Sequence, residues 1–228
     1  MNDNRSIFVI IPCYNEARVV RKTVADVLEK GYSVILVDDC SKDGSKKQLT
    51  GLPIYYLRHR VNLGQGAALQ TGIDFAKKKG ANYIVTFDAD GQHDSNDIAG
   101  MIKLIEKDKS DIVFGSRFLP GSKTNASGSR TFVLNMARYI NYFVSGILLS
   151  DAYNGLRLLD RKAADNIRLT ENKMAHATQF QVLSAKNRLR YSEYPNNIQY
   201  TEYSSGKGLR NWDGIKIFFE ILLYKIFS

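Results

Sequence analysis

The sequence contains few of the residues that mark secreted or multi-domain proteins. Its 228 residues include two cysteines, four prolines and one tryptophan. Cys13 and Cys40 each lie at the end of an apolar run, which is typical of small buried residues in a reducing compartment and excludes a disulfide framework. No low-complexity, Pro-rich or Gly/Ser-rich stretch divides the chain, and it has no internal repeat. We therefore expect one domain with one large core.

The sequence also lacks a targeting segment and a long hydrophobic run. Its first residues, MNDNRS, are polar and lead directly into a strand-like run, so no signal peptide is predicted and a cytoplasmic protein is expected. Residues 131–149 form a helix-like segment with a core or lipid-facing apolar side, but Arg138 makes it a poor membrane span. Residues 214–227 are apolar, too short to span, and suit either an in-plane surface helix or a core or oligomer-interface helix.

Acidic residues are scarce in the second half of the chain. The net charge is +9; residues 1–114 hold 16 Lys and Arg against 15 Asp and Glu, whereas residues 115–228 hold 16 against 8. A one-sided positive field favours an anionic partner such as phosphate groups or an acidic membrane surface, although a solvated basic face has the same composition. No nucleic-acid recognition motif accompanies the charge, so nucleic-acid binding ranks lowest.

Short apolar runs alternate with helical patterns in the first half of the chain. The runs are β-branched, and each stops at Pro, Asp or Gly, as buried strands do. They are residues 7–11 (IFVII), 34–37 (VILV), 83–87 (YIVTF) and 112–114 (IVF). Helices are predicted over residues 16–30, 64–79 and 95–107. This alternation predicts a single-domain, Rossmann-like α/β fold with a mostly parallel central sheet and helices on both faces.

The most informative stretch is YIVTFDADGQHD, residues 83–94, where an apolar run ends in Asp88 and Asp90. Side chains alternate along an extended segment, so both carboxylates are expected to point the same way and to repel unless a divalent metal lies between them. Gln92 follows as a further oxygen ligand. Mg²⁺ or Mn²⁺ with positions open for phosphate oxygens fits best, and an ordinary acidic turn is the alternative.

Two other polar clusters follow predicted strands, at residues 12–16 and 38–45. Ligands of mostly parallel sheets bind outside the carboxyl ends of the strands, so the three clusters are expected to meet. Asp38 and Asp39 can accept hydrogen bonds from a nucleobase or a ribose. A metal at Asp88 and Asp90 can bridge a diphosphate, and a nucleotide diphosphate sugar combines these demands.

Six motifs in order resemble the family 2 glycosyltransferases of the GT-A fold, and most of all their dolichyl or polyprenyl phosphate mannosyl- and glucosyltransferase branch. They are IPCYNE (11–16), VDDCSKDGS (37–45), NLGQGAALQTG (62–72), FDADGQHD (87–94), GSRF (115–118) and DAYNGLR (151–157). The resemblance implies an inverting enzyme that uses a nucleotide-activated sugar and a divalent cation. It also implies a division into a nucleotide-sugar half at 1–116, an acceptor half at 117–212 and a terminal helix at 213–228.

The resemblance also assigns roles to residues. Those implied for the nucleotide sugar are Pro12, Tyr14, Glu16, Asp38, Asp39, Asp88, Ala89 and Asp90. The candidate metal ligands are Asp88, Asp90 and Gln92. Arg117 is expected to face the acceptor phosphate or the diphosphate, since a guanidinium matches phosphate geometry, and Asp151 is the candidate base. An ionised phosphate acceptor, unlike a hydroxyl, needs no base.

The match weakens near the end of the chain, in YTEYSSGKGLRN, residues 200–211. Tyr203 stands where the phosphate-transferring branch usually has Arg, so Lys207 or Arg210 is expected to supply the diphosphate contact. Many relatives continue into transmembrane helices. Here we expect either peripheral docking at the inner membrane face through the last helix, or a separate small membrane protein that supplies the anchor. A homo-oligomer is a further alternative.

The sequence thus predicts a metal-dependent transferase that moves a sugar to a polyprenyl phosphate or lipid-linked glycan. A catalytically idle nucleotide-sugar-binding or membrane-docking module is the alternative. A phosphatase of the haloacid dehalogenase type is rejected, because its Asp-x-Asp-Gly motif belongs after the first strand. A receiver domain is also rejected, because this sequence does not place a phosphorylated Asp and a paired Lys at the strand ends where such a domain has them.

Overall fold

The computed structural model describes residues 6–126, 128–172 and 175–200, which form one seven-stranded sheet with helices on both faces. The strands are β1 Ile7–Cys13, β2 Ser33–Asp38, β3 Tyr55–Arg58, β4 Tyr83–Thr86, β5 Ile112–Ser116, β6 Arg157–Asp160 and β7 Tyr191–Pro195. Their order across the sheet is β3-β2-β1-β4-β6-β5-β7. The predicted terminal helix at 213–228 lies outside the described residues.

The sheet is mostly parallel, as predicted, with one antiparallel strand. β1 pairs in parallel with β2 and β4, β2 with β3, and β5 with β7. β6 runs antiparallel between β4 and β5. The predicted acceptor half therefore contributes its strand β6 to the middle of the sheet, beside the strand that leads to Asp88. β3, β6 and β7 are short strands that the sequence analysis did not identify.

Seven helices flank this sheet within the described residues. They are α1 Val20–Glu29, α2 Ser45–Gln48, α3 Gln65–Lys78, α4 Asp97–Asp108, α5 Gly128–Ser145, α6 Arg161–Asn166 and α7 His176–Lys186. Apolar residues of α1 and α4 pack on one face of the sheet, and those of α3, α6 and α7 on the other. Along β1, Phe8 and Ile10 pack on the face covered by α3, α6 and α7, whereas Val9 and Ile11 pack on the face covered by α1 and α4. Alternate residues of a strand point to opposite faces of the sheet.

Three predicted helix boundaries were wrong: the start of α1 and both ends of α5, which begins at Gly128 and not at residue 131. α1 begins at Val20 and not at residue 16; residues 17–19 form a turn, and the amides of Glu16 and Ala17 donate to Ser45 Oγ (3.0 Å) and Asp43 Oδ2 (2.9 Å). α5 ends at Ser145 and not at residue 149, because Gly146 has φ of 74° and leaves the helix.

α3 lies unusually close to β1 at Gly72. A Cβ added at Gly72 would lie 2.4 Å from Cγ2 of Ile10, a fully buried core residue. The helix can approach the sheet to this distance only because position 72 carries no side chain. The close contact sets the height of α3 above the sheet and hence the position of its first residue, Gln65, at the carboxyl edge.

We predict that Gly72→Ala destabilises the fold by about 1–3 kcal/mol, because the added methyl group overpacks the β1 contact. Urea unfolding followed by circular dichroism measures the change. Gly128→Ala is the matched control, since a Cβ at Gly128 meets nothing within 4 Å. An unfolding midpoint of Gly72→Ala equal to that of the unmodified protein would contradict the close-packing account.

Candidate active site

The loops after β1 and β2 are joined at the carboxyl edge of the sheet. The Asn15 amide donates to Ser41 Oγ (3.0 Å), and Asn15 Oδ1 accepts from the Lys42 amide (2.8 Å). Asn15 has φ of 57°, a left-handed conformation that turns the chain out of β1. Of the residues expected in the nucleotide pocket, Pro12 is buried within β1, while Tyr14 beside it is 44% exposed and available to a ligand.

Asp39 is 3% exposed and holds the start of α3. Its carboxylate accepts from the amides of Leu63 (2.9 Å) and Gly64 (2.7 Å) and lies 2.7 Å from His59 Nδ1. Asp38 is also buried and accepts from the Ser41 amide (2.7 Å) and from Tyr56 Oη (2.5 Å). Both carboxylates thus shape the loops around the expected nucleotide pocket, and their direct contact with a base or ribose stays a prediction.

Asp88 lies at the meeting point of three segments of the chain. Its side chain is 29% exposed; Oδ1 accepts from Gln65 Nε2 of α3 (2.9 Å), and Oδ2 is 3.1 Å from His93 Nε2. The third segment is the loop before β6, where a Cβ at Gly155 would lie 1.9 Å from Asp88 Oδ2. The carboxylate therefore rests directly against the backbone at Gly155.

Several nearby basic side chains favour the ionised form of Asp88. Burial acts to raise its pKa, but the hydrogen bond from His93 and the charges of His93, Arg157 and His176 hold the pKa below its usual range. His93 is almost fully buried, with its ring edge against Phe87 and its centroid 5.4 Å away. Asp88 is thus held as an anion at the edge of the sheet.

Asp90 lies close to Asp88, although not for the reason expected. β4 ends at Thr86, and residues 89–90 form a turn that continues through Gly91 with φ of 75°, so alternation along an extended segment does not place the two carboxylates. Asp90 Oδ2 accepts from Gln92 Nε2 (2.7 Å), and Oδ1 accepts from the Gln92 amide (3.1 Å). Burial and the charge of Asp88 raise the pKa of Asp90 to about 6.

These groups fit a hard divalent cation that shares its coordination with a substrate. The mutual repulsion of Asp88 and Asp90 is relieved by a cation between them, and Gln92 adds an amide oxygen. Within the described part of the chain, no group of three His, Cys, Asp or Glu residues is arranged to hold a metal. Mg²⁺ is commonly bound by one or two carboxylates together with water and substrate phosphates, so a two-carboxylate site suits phosphate-bound metal better than a resident structural ion.

Arg117 and Asp151 form a buried ion pair beside this site. Arg117 Nε and Nη2 donate to Asp151 Oδ2 (2.5 Å) and Oδ1 (3.2 Å), and the Arg117 amide also donates to Oδ2 (3.1 Å). Both residues are at least 93% buried, at 7% and 2% exposure. Asn154 Nδ2 adds a hydrogen bond to Oδ2 (3.1 Å), and Arg117 Nη1 donates to Tyr200 Oη. These two residues were expected in separate roles, and the structure joins them as an ion pair.

Arg157, the first residue of β6, is buried near the two acidic groups. It is 2% exposed and stacks over the Phe180 ring, 4.6 Å from the centroid, while its Nη1 is buried with no partner among the described residues. Burial lowers its pKa to about 10, and the charges of Asp88 and Asp151 oppose that shift. Both carboxylates thus lie near enough to this guanidinium for their charges to act on it.

The structure adds to the site six residues that were not among the predicted site residues. They are Gln65, His93, Asn154, Gly155, Arg157 and His176. Five of them lie in motifs that were recognised, although no role was assigned to these residues; His176 lies in none of the motifs. Tyr203, Lys207 and Arg210 lie outside the described residues, and their expected roles stay predictions.

Comparison with known proteins gives one family. The family model "Glycosyl transferase family 2" matches residues 8–168. The chain is 30% identical to the UDP-N-acetylglucosamine–dolichyl-phosphate N-acetylglucosaminyltransferase of Methanococcus voltae, over 98% of this chain and 97% of that protein. It is 29% identical to the polyprenol monophosphomannose synthase of Mycolicibacterium smegmatis, over 71% of this chain and 64% of that protein.

A solved structure shows the same fold. The glucosyl-3-phosphoglycerate synthase of Mycobacterium tuberculosis, in a complex with Mn²⁺, UDP and glucosyl-3-phosphoglycerate, superposes with a TM-score of 0.71 at 14% identity. The alignment covers 97% of this chain and 80% of that one. At this identity the likeness concerns the fold, and it confirms the GT-A expectation.

We predict that Arg117→Ala and Asp151→Ala each destabilise the protein by about 3–5 kcal/mol, because each leaves a buried charge without its partner. The double variant should lose less stability than the two single variants lose in sum, since it leaves neither charge unpaired. Chemical unfolding of all four proteins completes the double-mutant cycle. Strictly additive losses would show that the ion pair contributes no coupling.

Proposed function

This chain belongs to glycosyl transferase family 2, and on that premise we propose that it transfers one sugar, with inversion, from a uridine diphosphate sugar to a polyprenyl phosphate at a membrane surface. The proposal includes a divalent cation at Asp88 and Asp90. The observation that carries it is the arrangement of residues 151–157, where Asp151 pairs with Arg117 and Gly155 lies against the Asp88 carboxylate.

The donor is inferred from the site and from a full-length relative. Asp38 and Asp39 shape the loops after β2, and Tyr14 offers an exposed ring beside them. The Methanococcus relative is named for a UDP-sugar donor and aligns over nearly the whole of both chains. A uridine diphosphate sugar is therefore the donor class that we propose, with Tyr14, Glu16 and the two aspartates around the nucleoside.

The metal role rests on the two carboxylates after β4. Asp88, Asp90 and Gln92 would hold the cation, which when bound neutralises the diphosphate that leaves the sugar. Asp88 is already oriented for this role, because Gln65 and His93 contact its two oxygens and neighbouring basic side chains hold its pKa below the usual range. A solved structure of the same fold holds Mn²⁺ together with UDP.

The acceptor class follows from the state of Asp151. Its carboxylate accepts from the guanidinium and the amide of Arg117 and from Asn154, so few lone pairs are left to take a proton. A hydroxyl acceptor needs a base, whereas a phosphate monoester is already ionised at neutral pH. We propose that Asp151 positions Arg117 and that Arg117 orients a phosphate acceptor.

The reaction then balances without a net proton transfer. An oxygen of the acceptor phosphate forms a bond to the anomeric carbon of the sugar as the bond from that carbon to the diphosphate oxygen breaks. The nucleoside diphosphate leaves with the electron pair. Attack from the face opposite the leaving group gives inversion in a single displacement, and the residues of the site contribute by orientation and charge.

The membrane contact is proposed for α5. Its outward face is strongly apolar for a surface helix, since Phe132 is 68% exposed and Phe143 is 76% exposed, with Met136 and Tyr139 between them at helical spacing. None of the helices in the described ranges is both long and apolar enough to cross a bilayer. An in-plane helix beside a site for a lipid phosphate fits these facts, and it supports a peripheral location.

We predict that Asp90→Ala lowers transfer to polyprenyl phosphate by at least about a hundredfold, because the diphosphate loses its metal. Chelation of the unmodified protein should have the same effect. Thermal shift with uridine, guanosine and thymidine diphosphate sugars, with and without Mn²⁺, should show metal-dependent stabilisation by the uridine series alone.

Asp165→Asn is the control for that experiment, because Asp165 is 53% exposed and pairs with Lys77 of α3. It should transfer as the unmodified protein does. Transfer that persists in chelator would overturn the metal role. Metal-dependent donor binding without transfer to any lipid phosphate would favour the idle nucleotide-sugar-binding module.

We also predict that the double variant Phe132→Ser/Phe143→Ser binds vesicles of anionic lipid at least about tenfold more weakly, because two exposed rings no longer enter the bilayer interface. Co-sedimentation with vesicles measures binding. Val61→Ser, at a 60% exposed site outside α5, is the control and should bind as before. Unchanged vesicle binding together with the loss of a dimer on gel filtration would instead show that this face joins two copies of the chain.

A further inference from the structure

We infer that Gly155 is a positioning residue for the metal-site carboxylate, and that position 155 must lack a side chain for Asp88 to occupy its place. This inference rests on the proposed metal role of Asp88. It assigns a purpose to a glycine in the acceptor-side motif DAYNGLR that is 67 positions away from Asp88 in the chain.

The carboxylate lies flat against the Gly155 α-carbon. A Cβ at position 155 would lie 1.9 Å from Oδ2, 2.5 Å from Cγ and 2.7 Å from Oδ1 of Asp88. All three atoms of the carboxylate are thus inside the distance that a real Cβ tolerates, so a methyl group here would need the space that the carboxylate occupies.

The requirement concerns space and not backbone conformation. The φ of Gly155 lies outside the left-handed region, so an L-residue could adopt this backbone without strain. Gly146 and Gly91, which have φ of 74° and 75°, are needed for their conformations instead. An alanine at position 155 therefore tests the contact with Asp88 without a confounding change in the turn.

The backbone at Gly155 has little freedom to move away. Its carbonyl accepts from Thr86 Oγ1 of β4 (2.6 Å). The next residue, Leu156, donates its amide to Asn154 Oδ1 (3.0 Å) and accepts from the Gly115 amide of β5 (2.9 Å). Arg157 then enters β6 between these two strands. The segment is fixed on both sides, so the side chain of Asp88 must move instead.

Movement of Asp88 would break both contacts that orient it. Its oxygens accept from Gln65 Nε2 (2.9 Å) and lie 3.1 Å from His93 Nε2, and neither distance survives a rotation of the carboxylate away from Gly155. Residues 151–157 therefore serve both sides of the reaction. Asp151 holds Arg117 on the acceptor side, and Gly155 seats Asp88 on the donor side.

The test compares Gly155→Ala, Asp88→Ala and the double variant in the full chain, with Mn²⁺ and UDP as the probes. Calorimetric titration should show Mn²⁺–UDP affinity reduced about 10–100-fold in Gly155→Ala, the usual range for residues that orient metal ligands. The double variant should bind no more weakly than Asp88→Ala alone, because Gly155 acts only through Asp88. Gly128→Ala, an open glycine, should bind normally.

The outcomes separate this inference from the proposed function. Normal binding by Gly155→Ala alongside loss in Asp88→Ala would overturn the role of Gly155 and leave the metal site standing. Normal binding by Asp88→Ala would overturn the metal role of Asp88 itself, and the inference with it. A double variant that binds more weakly than Asp88→Ala would show that Gly155 acts on something other than Asp88, and would also overturn the inference.

Folding provides a second measurement if Gly155→Ala is unstable. Removal of the Asp88 carboxylate in the double variant removes the atoms that the new methyl group would meet. Recovery of the native circular dichroism and melting temperature in the double variant would support the contact. A double variant as unstable as Gly155→Ala would show that the methyl group clashes elsewhere, which would contradict the inference.

Discussion

The site depends on the insertion of β6, antiparallel, between β4 and β5. An antiparallel strand begins at the edge where its parallel neighbours end, so the segment that leads into β6 is delivered to the carboxyl ends of β4 and β5. Those ends carry Asp88 and Arg117. Residues 151–157 can therefore pair Asp151 with Arg117, seat Asp88 against Gly155 and bring Arg157 near both carboxylates.

This arrangement also explains how the basic half of the chain takes part in the site. Arg117 and Arg157 come from the half with the excess of positive charge, yet both are buried and interact with carboxylates. Their charges are partly compensated within the protein, and a buried cation without compensation would be costly. In the function that we propose, binding of an anionic substrate to Arg117 depends on how Asp151 orients the guanidinium.

Much of the fold and part of the site could be predicted from the sequence. Four buried strands, the helices between them and a mostly parallel sheet followed from apolar periodicity, and the six motifs indicated the family that the comparisons show. Short strands such as β6 (RLLD) were missed, because four residues give too little pattern to distinguish a strand from a buried turn. Asp88 and Asp90 were identified correctly as neighbours, although a turn and not an extended segment brings them together.

The sequence by itself determined the local elements and the chemistry of each polar cluster, because helix and strand periods and strand-ending polar residues are properties of short segments. Only the tertiary structure decided which clusters meet. Gly155 faces Asp88, and Arg117 pairs with Asp151, because strand order across the sheet brings together segments that are far apart in the chain. A glycine that is needed for space looks in the sequence like any other glycine. Its purpose appears when the carboxylate that fills that space is seen beside it.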